Sequence, residues 1–421
     1  CVAPHPHGSK RATSPRRTCC HGCAVGYSCR HGPLPLSMSN FSFETPPRVI
    51  CADGESERLG DLLREFGVSR PLVVTDRGIV EAGLLEPMLA ELRTLGLDVT
   101  VFSDVLADPS TSCVEAAVAV ALATGADGVI GFGGGSSLDV AKLVALLSRS
   151  GETLDALFGV GRAVGPRWPL IQVPTTAGTG SEVTPIAIVT MPNGEKQGVV
   201  SRRLHADVAV LDATLTLGLS ARVTAMTGIN AMVHAIEAYT CRHAKNVLSD
   251  TLATRALRLL SDHIVTAIAD GSNLEARRAM LQGSMLAGMA FANAPVGAVH
   301  ALAYPIGRHF HVPHGLSSAL VLLPVLEFNL SEADAMYAEL ADAVRATERT
   351  WHRSASGRAF IDAMATIVGE LGLERTLGEL GVIEADLPGL ATDAMKVQRL
   401  LVNNPRDVSY EQALALYREA L

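Results

Sequence analysis

GVIGFGGGSSLDVAKLVALL, residues 128–147, reads as a buried strand, a glycine turn and the opening of a helix, and that order decides the fold. Gly133, Gly134 and Gly135 let the backbone come close to a pyrophosphate. Ser136 and Ser137, at the free amides of the helix N-terminus, are the expected donors to its oxygens. The stretch is not G-x-G-x-x-G, because Ser136 stands in the place of the last glycine. It is not a Gly-Lys-Ser/Thr phosphate loop either. A conventional Rossmann order is therefore disfavoured, although the chemistry of the turn is similar.

Working outward, PLVVTD (71–76), LLEPMLAELRTLG (84–96), DVTVFSDV (98–105) and CVEAAVAVALATG (113–125) alternate strand-like and helix-like runs before the glycine turn. Such alternation predicts a parallel, doubly wound sheet. WPLIQVPTT (168–176) and ADVAVLD (206–212) add two strand-like runs, and after Asp212 the pattern changes to long helices rich in alanine and leucine. The expected organisation is an α/β dinucleotide-binding domain over 38–212 and an all-α domain over 213–421, with the active site in the cleft between them. Asp76 ends the first clear strand, where a carboxylate accepts hydrogen bonds from a ribose diol and repels a 2′-phosphate. PTTAGTGSEVTP (174–185) follows another strand with hydroxyls and two glycines, and Thr175 and Thr176 are its expected cofactor contacts.

The second half carries a constellation of a different kind. Asn230 and His234 are four apart in GINAMVHAIEAYT (228–240), so they share one helix face. His300 falls in GAVHALAYPIG (297–307), toward the end of a helix-like run, and His314 in VPHG (312–315), where the chain turns. One histidine on an apolar face is ordinarily a core residue. Three histidines and an amide instead suggest a site for a divalent metal, Fe2+ or Zn2+, open enough to admit a substrate oxygen for Lewis-acid catalysis.

Composition excludes several classes. The chain has 421 residues, too many for one ordinary core, with 48% hydrophobic and 19% charged residues. Its net charge of −8 argues against nucleic-acid and anionic-membrane partners, both of which require a basic face. No uninterrupted apolar run reaches membrane-spanning length. Five of the eight cysteines (Cys1, Cys19, Cys20, Cys23 and Cys29) lie in the first 37 residues, so the remainder resembles a protein of a reducing compartment, and a cytoplasmic location is expected. Residues 1–37 have no apolar core and no paired CxxC spacing. They are expected to be a non-native or disordered leader, dispensable for activity, with folded sequence beginning near Met38.

GFGGGSSLDVAK, PTTAGTGSEVTP, GINAMVHAIEAYT, HALAYPIGRHFHVPHG and LLVNNPRD resemble, in order and spacing, the signatures of the iron-containing (group III) alcohol dehydrogenases over essentially all of 42–421. The resemblance implies a dehydroquinate synthase-like architecture and reversible hydride transfer between NAD and a small primary alcohol or aldehyde. It also implies a lysine near the cofactor at Lys196 and metal ligands at Asn230, His234, His300 and His314. His300, His314 and Tyr304 are the expected catalytic groups, and a homo-oligomer is expected. Two positions depart from the family pattern: Asn230 replaces an aspartate, and Tyr304 replaces a histidine four residues after His300. The amide removes one negative charge and so weakens metal binding. Tyr304 either relays a proton through its hydroxyl or packs. Two alternatives follow: a metal-independent reductase resembling the maleylacetate reductases, and a non-catalytic cofactor-binding protein that has lost its metal.

Overall fold

Six short apolar runs hydrogen-bond into one parallel sheet: β1 (Arg48–Cys51), β2 (Pro71–Val74), β3 (Thr100–Phe102), β4 (Gly128–Gly133), β6 (Leu170–Pro174) and β9 (Val208–Leu211). Their order across the sheet is β1-β9-β6-β4-β2-β3. Chain direction across the sheet reverses between β2 and β4, since β2 leads outward to β3 whereas β4 leads the other way through β6 to β9. The carboxyl ends at such a switch point leave a crevice. The segments that leave β2 and β4 there are those of Asp76 and Gly133–Gly135.

The computed structural model describes residues 40–344 and 356–421, so the expectation about residues 1–37 and Met38 lies outside the described residues. Asn40–Leu421 forms one compact unit, with every strand before Asp212 and the long helices after it. Buried β2, β4 and β9 are apolar on both faces, as strands of a sheet covered by helices must be, and β6 is apolar but for Gln172, whose amide donates to Leu138 O.

A second, smaller sheet was not expected. β5 (Gly159–Val160), β8 (Lys196–Val200) and β7 (Ile186–Thr190) lie in that order, with β7 antiparallel to β8. It is fastened to the glycine-loop helix, Gly135–Ser150, by a buried polar cluster. Lys142 donates to Ile186 O at 2.6 Å and to Ser181 Oγ at 2.8 Å, while Asp139 accepts from Ile188 N at 2.9 Å. Burial pulls the Lys142 ammonium below its usual range, and Asp139 works against that.

In the helical part, Ala221–Tyr239, Val247–Ala269 and Leu274–Asn293 pack side by side, and the 28-residue helix His314–Ala341 packs against the first of them. That last helix is long and apolar enough to span a bilayer by length and composition, but polar residues interrupt it, so it is no uninterrupted apolar run. Its most apolar window is 67% buried inside the protein, and its apolar surface faces neighbouring helices. The two parts meet closely at Gly180 and Gly288, where a Cβ on Gly288 would lie 2.8 Å from Gly180 Cα.

Candidate active site

Each wall of the site follows from a local rule of the chain. Gly133 turns with φ of 150°, a conformation that glycine adopts freely, and a Cβ there would come within 2.8 Å of Ser137 Oγ. Gly134 then starts the helix Gly135–Ser150, whose N-terminus faces an open chamber of about 690 Å³. Asp76 caps the short helix Arg77–Glu81 by accepting from Ile79 N at 3.1 Å, and Ser137 Oγ donates to its second oxygen at 3.4 Å. Asp76, Gly134, Gly135, Ser136 and Ser137 thus line one chamber, as expected for a dinucleotide site.

Gly135 and Ser136 also line a second cavity of about 280 Å³, which reaches across to Asn230, His234, His300, Tyr304 and His314. Asp76, Gly134, Gly135, Ser136, Ser137, Lys196 and the expected metal residues therefore share one continuous cleft, whereas Gly133, Thr175 and Thr176 line neither chamber. Lys196, at the start of β8, lines this cavity and forms an ion pair with Asp108 at 2.7 Å. Thr175 is buried, its amide donating to Gly133 O at 3.0 Å, and Thr176 lies against Gly134. Of that loop, Thr179, Ser181 and Thr184 line the cavity.

The helix Ala221–Tyr239 starts where Ser220 accepts from Val223 N, and it buries both Asn230 and His234 on the face turned to the cavity. His300 corrects the expected placement: it lies in the first turn of the helix Ala298–Phe310, not near the end of a run. Pro295 disfavours helix at the residue before it, and Gly297 adopts φ of −125° and ψ of −129°, so the preceding helix stops at Asn293. His314 opens the next helix directly after Pro313.

The three imidazoles are neighbours. Ring centroids are 4.8 Å apart for His234 and His300, which stack, and 5.3 Å apart for His300 and His314, which are tilted; Tyr304 lies 5.7 Å from His314. Burial first, then the nearby His300, pulls His234 and His314 well below the usual imidazole range, so both are neutral near pH 7. His300 Nδ1 donates to Glu237 Oε2 at 2.6 Å, and Glu237 Oε1 accepts from Val299 N at 2.7 Å. That bond takes up Nδ1 and leaves His300 Nε2 buried and without a partner. Asn230 Nδ2 is 3.5 Å from His234 Nε2, and Asn230 Oδ1 accepts from Ser318 Oγ at 3.4 Å.

In donor chemistry these residues fit a divalent cation: three imidazoles, two of which, His234 and His300, each have a buried nitrogen without a partner, and an amide whose oxygen could serve as a further ligand. Among the described residues, no three His, Cys, Asp or Glu side chains form a ligand set by themselves. Glu237 escaped the sequence reading although it lies three residues after His234 on the same helix face. Asp139 and Lys142 were legible only as part of an amphipathic helix, and Phe291, stacked on His234 at 4.3 Å, had no local signal at all.

The cleft runs from a glycine turn at a helix N-terminus to a cluster of three buried imidazoles. The family description "Iron-containing alcohol dehydrogenase" matches residues 46–213, and "Fe-containing alcohol dehydrogenase family, C-terminal" matches 224–421. The chain is 36% identical to a sulfoacetaldehyde reductase of Bilophila wadsworthia over 89% of its length and 98% of that protein. It is 38% identical to long-chain-alcohol dehydrogenase 1 of Geobacillus thermodenitrificans over 91% and 97%. A crystal structure of 1,3-propanediol oxidoreductase superposes with a TM-score of 0.87 at 32% identity, covering 91% of this chain and all of that one. The chain belongs to the iron-containing alcohol dehydrogenase family, and it is an oxidoreductase.

Proposed function

We propose that the protein is an NAD-dependent alcohol dehydrogenase that interconverts a small primary alcohol and its aldehyde with the help of a divalent cation, iron in first place and zinc in second. The observation that carries this reading is the continuity of the cleft: Gly135 and Ser136 belong both to the chamber of Asp76 and to the cavity of His234, His300 and His314. A nicotinamide placed from the first chamber reaches the second.

In this reading Asp76 receives the adenosine ribose, Gly133–Gly135, Ser136 and Ser137 receive the pyrophosphate, and Thr175, Thr176 and Lys196 support the nicotinamide end. Asn230, His234, His300 and His314 hold the cation. When bound, the cation supplies Lewis-acid polarisation of the substrate oxygen, and NAD supplies the hydride acceptor. Glu237 holds His300 in the tautomer that presents Nε2. Tyr304, beside His314, passes the hydroxyl proton toward solvent. Phe291 and Val296 line the cavity and keep water off the reacting carbon. The α/β part 38–212 and the helical part 213–421 act as cofactor and catalytic domains, and the active form is a homo-oligomer.

Relatives named for sulfoacetaldehyde, long-chain alcohols and 1,3-propanediol support a CH–OH donor and leave the chain length open. A second reading is favoured by one observation, the Asn230 amide where an acidic ligand is expected: a metal-independent reductase in which the histidines orient the substrate. Metal analysis of purified protein, with NADH oxidation measured on an aldehyde panel before and after chelation, decides between them. Stoichiometric metal and chelator-sensitive turnover are expected. Full activity after chelation, without metal, would overturn the metal-assisted mechanism and leave the reductase.

A further inference from the structure

Beyond the histidines the cavity opens into a third chamber of about 340 Å³, and the two share Lys196, Tyr304 and Arg399. This chamber is lined by four cationic side chains, Lys196, Arg308, Lys396 and Arg399, against two carboxylates, Glu195 and Asp393. Three of the cations are already paired: Lys196 with Asp108, Lys396 with Asp393, and Arg308 with Asp393 and Glu195. His309 Nε2 also bonds to Asp393 at 2.7 Å. The Arg399 guanidinium has no hydrogen bond or ion pair among the described residues.

The side chain is exposed, but its backbone is held in place. Asn403 Nδ2 donates both to Arg399 O and to Val296 O, each at 3.1 Å, which ties the backbone of Arg399 to the segment leading into His300. Leu400 and Leu401 anchor the same short turn in the core. The guanidinium lies over β8, 3.9 Å from where a Cβ on Gly198 would stand, on the strand face that Lys196 shares two residues earlier. Phe291, Val296 and Leu400 provide an apolar wall in the cavity that joins the imidazoles to it.

From this geometry we propose that Arg399 binds the anionic end of the substrate, so that the enzyme acts on short aldehydes and alcohols whose far end carries a carboxylate or sulfonate. An unpaired guanidinium at the far side of an apolar channel matches such a group in shape and charge, because its fork donates two parallel hydrogen bonds. The reaction itself is unchanged: hydride and a proton reduce the aldehyde, and the charged end only orients it. This proposal rests on the alcohol dehydrogenase reading above.

The test uses the metal-loaded enzyme with NADH and compares succinic semialdehyde with butanal, and sulfoacetaldehyde with propanal. The wild type is expected to favour the anionic member of at least one pair in kcat/KM, and the pair that shows it identifies the tail. Arg399→Leu should lower the anionic-to-neutral ratio by about ten-fold, through KM, with Arg399→Lys restoring part of it. A wild type that favours the neutral member of both pairs, or a ratio that Arg399→Leu leaves unchanged, would overturn the proposal. Calorimetric binding of 4-hydroxybutyrate and 1-butanol to the NADH-loaded protein separates the two readings. If no aldehyde turns over but 4-hydroxybutyrate binds more tightly in an Arg399-dependent way, the redox reading fails and the anion subsite stands. Equal binding of the two would remove the subsite.

Discussion

At the scale of single residues the decisive substitution is the amide of Asn230. A carboxylate there would face the same imidazole edge with a full negative charge, whereas the amide offers a carbonyl dipole and turns a proton-bearing nitrogen toward His234. Asn230→Asp is therefore expected to raise the metal retained through dialysis and to leave or improve turnover, while His234→Ala and His314→Ala abolish both, as metal analysis and NADH oxidation will show. If Asn230→Asp retains no more metal than wild type, the amide is not a ligand. Asp76 gives a second expectation. With its carboxylate beside the glycine turn, a 2′-phosphate is repelled by about 1 to 3 kcal/mol, so NAD should be preferred to NADP, and Asp76→Gly should narrow the ratio of their catalytic efficiencies. Equal efficiencies in the wild type would remove Asp76 from the ribose site. Most of this chemistry was legible in the sequence because it sits in short runs, Asn230 with His234 and Gly133 with Ser137. Phe291 and Arg399 were not, since each reaches the cavity only through packing of distant helices.

Among the elements, those read correctly carry strong local signals. The strands β2, β3, β4, β6 and β9 are apolar runs flanked by turns or helices. The strands that were missed are β1, β5, β7 and β8: β1 is four residues exposed at both ends, β5 has two residues, β8 is largely polar, and β7, although apolar, takes its place from pairing with β8 and from Lys142. The helix break before His300 was written in Pro295 and Gly297 but passed for a continuous run. Contacts between elements make a quantitative test possible. Gly288→Ala would drive a methyl group into Gly180 across the joint of sheet and helices, and is expected to cost about 1 to 3 kcal/mol in chemical denaturation. Gly389, inside the helix Leu387–Ala394, has no atom within 4 Å of its missing Cβ, so Gly389→Ala should stabilise by about 0.5 to 1 kcal/mol. Two substitutions of the same size with opposite signs would confirm that joint; equal effects would count against it.

Over the whole molecule, two buried titratable groups set opposing responses to pH. Burial pushes the Glu182 carboxyl up to about 7 from an unfolded 4.5, against the pull of Lys142, and pulls His205 down to about 4 from 6.5. A raised acid contributes stability that is complete below pH 4.5 and is lost as the pH climbs to about 7, whereas the lowered histidine loses its contribution as the pH falls from 6.5 to about 4. Glu182→Gln removes the first response alone. Its melting temperature relative to wild type should rise by roughly 5 °C between pH 4.5 and 7 and stay level above that; a constant difference would place Glu182 in contact with water. The cleft has a consequence for kinetics as well. Because Gly135 and Ser136 form a wall of both the dinucleotide chamber and the histidine cavity, a dinucleotide lying across them becomes part of the wall against which the alcohol rests. In the proposed reading the two reactants are therefore expected to arrive in a compulsory sequence, nucleotide leading. In steady-state rate measurements NADH should compete with NAD and give mixed inhibition against the alcohol, whereas an aldehyde product that competes with NAD would mean that either can enter an empty enzyme.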